Sequence, residues 1–144
     1  MKVLSVRQPW AWALIHGGKD VENRTWRTSY RGPLAIHAGS RFDMSKAEWH
    51  NLSVSPTIGE PWHSMARGYN AQSDHVLGAI IGIVDLVDCL PSWQCDSPWK
   101  ADPDYFCWKV ANPRALEVPV LIKGQLGLFD VPDALLGRLV EVKR

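Results

Sequence analysis

The stretch KVLSVRQPWAWALIHGGKDVENRTWRTSYRGPLAIHAG, residues 2–39, decides the predicted architecture of this protein. Alternating side chains over residues 2–8 predict a short strand. Pro9 suits the start of a helix because its missing N–H costs nothing there, and Gly17 with Gly18 predicts the end of that helix. Two further strands are predicted from β-branched and aromatic content, over residues 21–27 and 33–39.

The rest of the chain adds more strands and two helices. The predicted strands cover residues 75–90, 105–116, 118–123 and 127–131, and the predicted helices cover residues 40–52 and 132–143. Breaker-rich segments at 53–74 and 91–104 predict loop insertions. Many short strands, with a helix after the first strand and a C-terminal helix, predict a mixed α+β, mainly β protein: a small β-barrel with helical plugs.

Length and composition predict one cytoplasmic domain over residues 1–144. The chain has 46% hydrophobic and 22% charged residues, which is usual for a globular protein. No apolar run approaches the ~20 residues that span a bilayer, and no signal-peptide core is present, so we expect no membrane partner. Three cysteines without a CxxC pair favour a reducing compartment over a disulfide framework or a zinc ribbon.

Charge is unevenly distributed along the chain. The net charge is +1, but residues 1–50 hold eight Lys/Arg against four Asp/Glu, and residues 51–108 hold two against seven. Nonspecific binding of duplex DNA is not expected, because it needs many phosphate contacts. The excess of basic residues in 1–50 fits a local basic face that binds one phosphate or a short single strand. It fits equally a solvated patch without a ligand. The eight tryptophans exceed what a core of this size requires, so some are expected to line a groove.

The predicted strand over residues 21–27 carries the main candidate site. Alternation gives one face with Glu22, Arg24 and Trp26, and a core-side face with Val21, Asn23 and Thr25. Lys19 follows two glycines that let the chain turn it toward Glu22. A carboxylate beside cations is typical of acid–base chemistry on a phosphate or carbonyl, and equally of a surface ion-pair cluster.

Histidines and cysteines give weaker signals. His37 lies between apolar neighbours. This position fits either a hydrogen-bonded histidine of the core or a histidine that binds a ligand. Cys107 lies between Phe106 and Trp108 and is expected to be buried and inert. No metal-ligand spacing, phosphate-binding loop or dinucleotide motif is found, so neither metal nor cofactor is expected. Loop 53–74 contains Trp62, His63 and Arg67. The sequence does not decide whether this loop is a lid over the site or an insertion without a role in it.

The opening segment resembles a known family. The RQP entry to the first helix, the pattern G-x-K-x-x-E-x-R over residues 17–24 and the IHA strand are similar to the start of an ASCH domain, a relative of the PUA fold. The stretches GAIIGIVDLVDC (78–89) and YFCWKVANPRALEVPVLIKGQLGLFDVP (105–132) resemble its later strands. The resemblance implies a PUA-like β-barrel with a cleft for RNA or a modified nucleoside.

The resemblance also implies which residues form the site. Carried over position by position, it marks Lys19, Glu22 and Arg24 as candidate catalytic residues, with Arg7 and Gln8 beside them. The predicted substrate-binding set is Arg7, Gln8, Trp10, Trp26 and His37.

The family includes enzymes that cleave single-stranded RNA and small amidohydrolases that deacetylate N4-acetylcytidine. The latter resemble a K-x-x-T pattern with a threonine nucleophile, whereas this chain has Glu22 at that position. Three functions follow: a metal-independent ribonuclease with Glu22 as base, an amidohydrolase in which Glu22 activates water, and a binding module without chemistry.

Overall fold

A computed structural model of the chain describes residues 1–54, 59–70 and 74–142, and most of its regular structure is β-sheet. The strands in these residues are β1 (Lys2–Gln8), β2 (Val21–Arg24), β3 (Gly32–Phe42), β4 (Ala79–Pro91), β5 (Phe106–Leu121), β6 (Leu128–Asp130) and β7 (Leu139–Glu141). The helices are α1 (Trp10–His16), α2 (Lys46–Val54) and α3 (Trp62–Gly68), with 3₁₀ turns at Ser92–Gln94 and Asp133–Leu135. The mixed α+β, mainly β class is therefore confirmed.

All seven strands belong to one mixed sheet. Its order is β2-β5-β4-β3-β1-β6, with β7 paired to β5. Among the strand pairs of the described residues, only β1 and β3 run parallel. A parallel pair requires a crossover, and α1 with β2 lies in that connection. Among the described strands no pairing joins β2 to β6, so closure into the predicted barrel is not shown.

Helix α1 packs its apolar side on the sheet and so places the glycine turn after it. Five of its seven residues are buried, from Ala11 to Ile15. The main core cluster joins this helix to the central strands through residues that include Leu4, Leu14, Ile15, Ile36, Val84 and Trp108. A second cluster connects α1 to α3 and to the loop after β4, through Trp12, Val21, Met65, Tyr69, Cys95, Trp99 and Cys107. The elements around the site are therefore fixed by packing.

The predicted C-terminal helix is wrong. Pro132 precedes a single 3₁₀ turn, and the chain then extends into β7, which pairs with residues 114–116 of β5. The edge of β5 provides backbone partners that an isolated amphipathic helix here would lack, and Gly137 weakens a helix. Residue 143 of the predicted helix lies outside the described residues.

Several predicted boundaries also move. Strand β3 extends to Phe42 and takes over the start of the helix predicted at 40–52, while β5 unites the strands predicted at 105–116 and 118–123. Helix α3 lies within the predicted loop 53–74, of which residues 55–58 and 71–73 are outside the described residues. None of the helices in the described ranges is long and apolar enough to cross a membrane.

At Gly82 the backbone of β4 lies close to its neighbours. A Cβ there would lie 2.5 Å from the carbonyl oxygen of Arg114 and 2.7 Å from Cδ1 of Ile15. We expect Gly82→Ala to lower the free energy of unfolding in urea by about 1–3 kcal/mol, because the backbone oxygen cannot rotate away. Gly137→Ala is the matched control, since a Cβ at Gly137 meets nothing within 4 Å. Equal stability of the two variants would contradict this packing.

Candidate functional site

A cleft of about 1130 Å³ opens where β1, β2 and β3 meet the segments 99–105 and 123–126. Seven of the eight predicted site residues line it: Arg7, Trp10, Lys19, Glu22, Arg24, Trp26 and His37. Gln8 does not. Its side chain is fully buried, where its amide accepts from the backbone N–H of Trp12 and donates to the carbonyl of Val76. Gln8 therefore holds the start of α1, and its predicted part in substrate binding stays a prediction.

Glu22 binds both neighbouring cations. Nζ of Lys19 lies 3.3 Å from Oε1 of Glu22, and Nε of Arg24 donates to Oε2 at 2.9 Å. The Lys19 and Glu22 side chains are 3% and 9% exposed, and that of Arg24 is 24% exposed. Such burial contradicts a solvated edge, since an exposed ion pair would leave these groups in water. The three residues form what we call the Glu22 network.

The backbone explains how the Glu22 network assembles. Gly18 has a φ of +77°, a conformation that suits glycine, and it turns Lys19 so that Nζ also donates to the carbonyl of Val21 at 2.7 Å. Strand β2 pairs with β5 through Glu22 and Trp108, and Val21 is fully buried on the core side, as the alternation predicted. Thr25, placed on the core side by the same alternation, is exposed in the cleft because β2 ends at Arg24.

The Glu22 network holds two cations against one acid, so it presents surplus positive charge. Nη2 of Arg24 donates to the carbonyl of Ser5 at 2.6 Å, whereas Nη1 has no hydrogen-bond partner in the described part of the chain. Six Lys/Arg and three Asp/Glu line the whole cleft: Arg7, Lys19, Arg24, Arg41, Lys100, Lys123, and Glu22, Asp43, Asp102. The lining of the cleft therefore carries more positive than negative side chains, and such a lining attracts anions.

Aromatic rings form the other component of the cleft. Trp26 is 37% exposed, and its ring stands edge-on to the buried ring of Trp108, with centroids 4.6 Å apart. Another cleft residue, Trp62, contacts Trp10 and Trp99, with ring centroids 5.6 and 4.8 Å apart. Lys19 lies 5.8 Å from the Trp10 ring. Flat faces beside cations suit a planar, anionic ligand.

Asn23 positions a wall of the cleft that the sequence did not reveal. Its Nδ2 donates to the carbonyl of Trp99 at 3.0 Å, and its Oδ1 accepts from the N–H of Ala101 at 2.9 Å. These bonds hold the segment 99–105, which brings Lys100, Asp102 and Tyr105 to the cleft. No local pattern marks these residues, because the contact joins positions about 77 apart in the chain.

The sequence of the chain matches a known protein family over most of its length. Residues 4–120 match the ASCH domain. The chain belongs to the ASCH domain family. It is 34% identical over 127 residues to activating signal cointegrator 1 of Homo sapiens, and 32% identical over 127 residues to that of Mus musculus. The match covers 84% of this chain and 20% of each relative, so this ASCH domain spans about a fifth of their length.

His37 of this ASCH domain has both ring nitrogens bonded, as the interpretation of a core histidine predicted. The ring is 1% exposed, with Nδ1 2.9 Å from Oγ of Ser5 and Nε2 2.7 Å from the carbonyl oxygen of Ile122. It nevertheless borders the cleft together with Ser5, a residue that the sequence analysis did not single out.

Three other residues that the sequence singled out, Cys107, His63 and Arg67, do not line the cleft. Burial raises the pKa of the Cys107 thiol to about 12, with Cys95 as its neighbour, so it is a poor nucleophile at neutral pH. His63 and Arg67 of α3 do not line the cleft, whereas Trp62 of the same helix does. No group of three His, Cys, Asp or Glu in the described ranges is arranged to hold a metal ion, and the absence of a metal site stays a prediction.

We expect Glu22→Gln to lower the free energy of unfolding by about 3 kcal/mol, because it leaves Lys19 and Arg24 partly buried without a counter-charge. The control is Asp102→Asn, which removes an exposed cleft carboxylate whose side chain has no partner among the described residues. Urea denaturation at pH 7 compares the two. Equal losses of stability would show that Glu22 is not a structural counter-ion.

Proposed function

We propose that this ASCH domain binds single-stranded RNA in the cleft, with phosphates at the cations and bases against the tryptophans. The juxtaposition of exposed Trp26 with the surplus charge of the Glu22 network supports this most strongly. Single strands are recognised by stacking unpaired bases on aromatic faces while cations track the backbone. Membership of the ASCH family also favours a nucleic-acid ligand.

The size and charge of the cleft favour a short strand over a lone base. Its volume of about 1130 Å³ exceeds the usual ligand pocket of about 300–1,000 Å³. Arg41, Lys100 and Lys123 are exposed at separate parts of its rim, and none has an ion-pair partner in the described residues. In the proposed complex, each of them contacts a different phosphate of the strand.

The charge of the remaining surface argues against duplex binding. The net charge of the chain is +1, so a broad positive field is missing, and stacking needs bases that are not paired. The proposed ligand therefore enters a cleft and does not lie across a face.

Trp26→Ala tests the stacking contact. We expect affinity for a fluorescently labelled single-stranded RNA to fall about 5- to 150-fold in an anisotropy titration, the equivalent of about 1–3 kcal/mol for one stacked base. Trp93→Ala is the matched control, since Trp93 is 76% exposed and does not line the cleft. Equal effects of the two variants would place the RNA elsewhere.

Salt dependence tests the binding of phosphates by the rim lysines. Replacing Lys100 and Lys123 by Met should reduce the slope of log affinity against log salt by about 0.7 for each phosphate that these lysines neutralise. Lys46→Met removes an exposed lysine outside the cleft and should leave the slope unchanged. An unchanged slope in the double variant would remove both lysines from the interface.

RNA cleavage is a second candidate function, favoured by the carboxylate of Glu22 lying between two cations inside the cleft. Glu22 would take the proton of a ribose 2′-OH as the 2′ oxygen bonds to phosphorus. The bond from phosphorus to the 5′ oxygen would then break, and water would give that oxygen its proton. Lys19 and Arg24 would stabilise the charge on the phosphoryl oxygens.

One panel of assays separates the candidates. Wild type and Glu22→Gln, both checked for folding by circular dichroism, are incubated with single-stranded RNA and with N4-acetylcytidine, with and without a chelator. RNA cleavage by the wild type but not by Glu22→Gln, unaffected by the chelator, supports the ribonuclease. Release of cytidine from N4-acetylcytidine supports the amidohydrolase instead. Binding without either product leaves a pure binding module.

A further inference from the structure

A serine and a histidine form a hydrogen-bonded pair at the cleft, apart from the Glu22 network. Ser5 on β1 lies opposite His37 on the parallel strand β3. This register brings Oγ of Ser5 to 2.9 Å from Nδ1 of His37, and both residues border the cleft. Ser5 is half-buried and lines the cleft, so a ligand bound in the cleft would meet this residue.

The second nitrogen of His37 fixes the direction of that hydrogen bond. Nε2 lies 2.7 Å from the carbonyl oxygen of Ile122, which can only accept. A neutral imidazole therefore carries its proton on Nε2, and its Nδ1 is an acceptor. The hydroxyl of Ser5 consequently donates to Nδ1.

We propose that Ser5 and His37 are the nucleophile and base of an acyl-transfer site that takes a small ester or amide. A hydroxyl donating to an imidazole whose other nitrogen is held in place is the arrangement that activates serine. The Ile122 carbonyl occupies the orienting position. This activity goes beyond RNA binding and does not depend on it.

The surroundings of the pair suit this chemistry. A Cβ on Gly124 would lie 2.5 Å from Oγ of Ser5 and 2.8 Å from Cε1 of His37, so only glycine lets the chain pass this close to the pair. Arg24 donates to the carbonyl of Ser5, which places a guanidinium beside the nucleophile. In this proposal the Arg24 guanidinium is the positive group that stabilises the developing oxyanion.

The reaction balances with water as its only co-reactant. The Ser5 proton moves to Nδ1 of His37 while Oγ forms a bond to the acyl carbon. The C–O or C–N bond to the leaving group then breaks, and the leaving alcohol or amine takes the proton from Nδ1. Water attacks the acyl-serine, gives a proton back through His37 to Oγ, and releases the carboxylic acid.

An alkyl fluorophosphonate probe tests the nucleophile directly. It contains no nucleotide, so its result is separable from RNA binding. We expect one covalent adduct on the wild-type protein by intact mass, mapped to Ser5 by peptide analysis. The adduct should be absent in Ser5→Ala and retained in Ser40→Ala, which alters another serine of the cleft. No adduct, or an adduct on another serine, would overturn the proposal.

The role of His37 as a base is tested in a variant that has a thiol in place of the Ser5 hydroxyl. Ser5→Cys places a thiol beside Nδ1, while Cys89, Cys95 and Cys107 are buried. We expect iodoacetamide to alkylate residue 5 about 100-fold faster in Ser5→Cys than in the variant that also carries His37→Gln, as expected for loss of a general base. Equal rates in two proteins with matching circular dichroism would show a purely structural histidine.

Discussion

A buried carboxylate that is bonded on both oxygens organises this molecule: Glu22 holds Lys19 at 3.3 Å and Arg24 at 2.9 Å. Removing such charges from water is costly unless each is compensated, so the three side chains must stay together. Arg24 extends the connection to β1 through the carbonyl of Ser5. The surplus charge of this network faces the cleft, and the proposed recognition of an anionic strand depends on it.

The fold places ligand-binding groups on elements that are far apart in sequence. Strand β2 carries Glu22 and Arg24 toward the cleft, while Asn23 between them fastens the segment that bears Trp99 and Lys100. The short strand β2 therefore positions both the charged residues of the cleft and the neighbouring segment 99–105. The Ser5–His37 pair depends on a different feature, the parallel register of β1 and β3. One cleft thus holds two chemically distinct groups of side chains.

Local sequence signals were sufficient to predict the arrangement of the site residues near the first helix. Two glycines and a strand of alternating residues predicted that Lys19, Glu22 and Arg24 would meet. They could not show that Gln8 turns into the core, because its partner at Val76 is distant in the chain. The prediction of a C-terminal helix was wrong for a similar reason. Strand β7 forms because it pairs with the free edge of β5, and that edge exists only in the folded sheet.

Indole N–H signals in a nitrogen-15 NMR titration with single-stranded RNA test the central claim most directly. Assigned through single Trp→Phe variants, the signals of Trp10 and Trp26 should shift and saturate together, because both rings line the cleft. Trp93 should not move, although at 76% exposure it is the tryptophan most open to nonspecific contact. A dominant shift of Trp93, with Trp10 and Trp26 unchanged, would contradict the account.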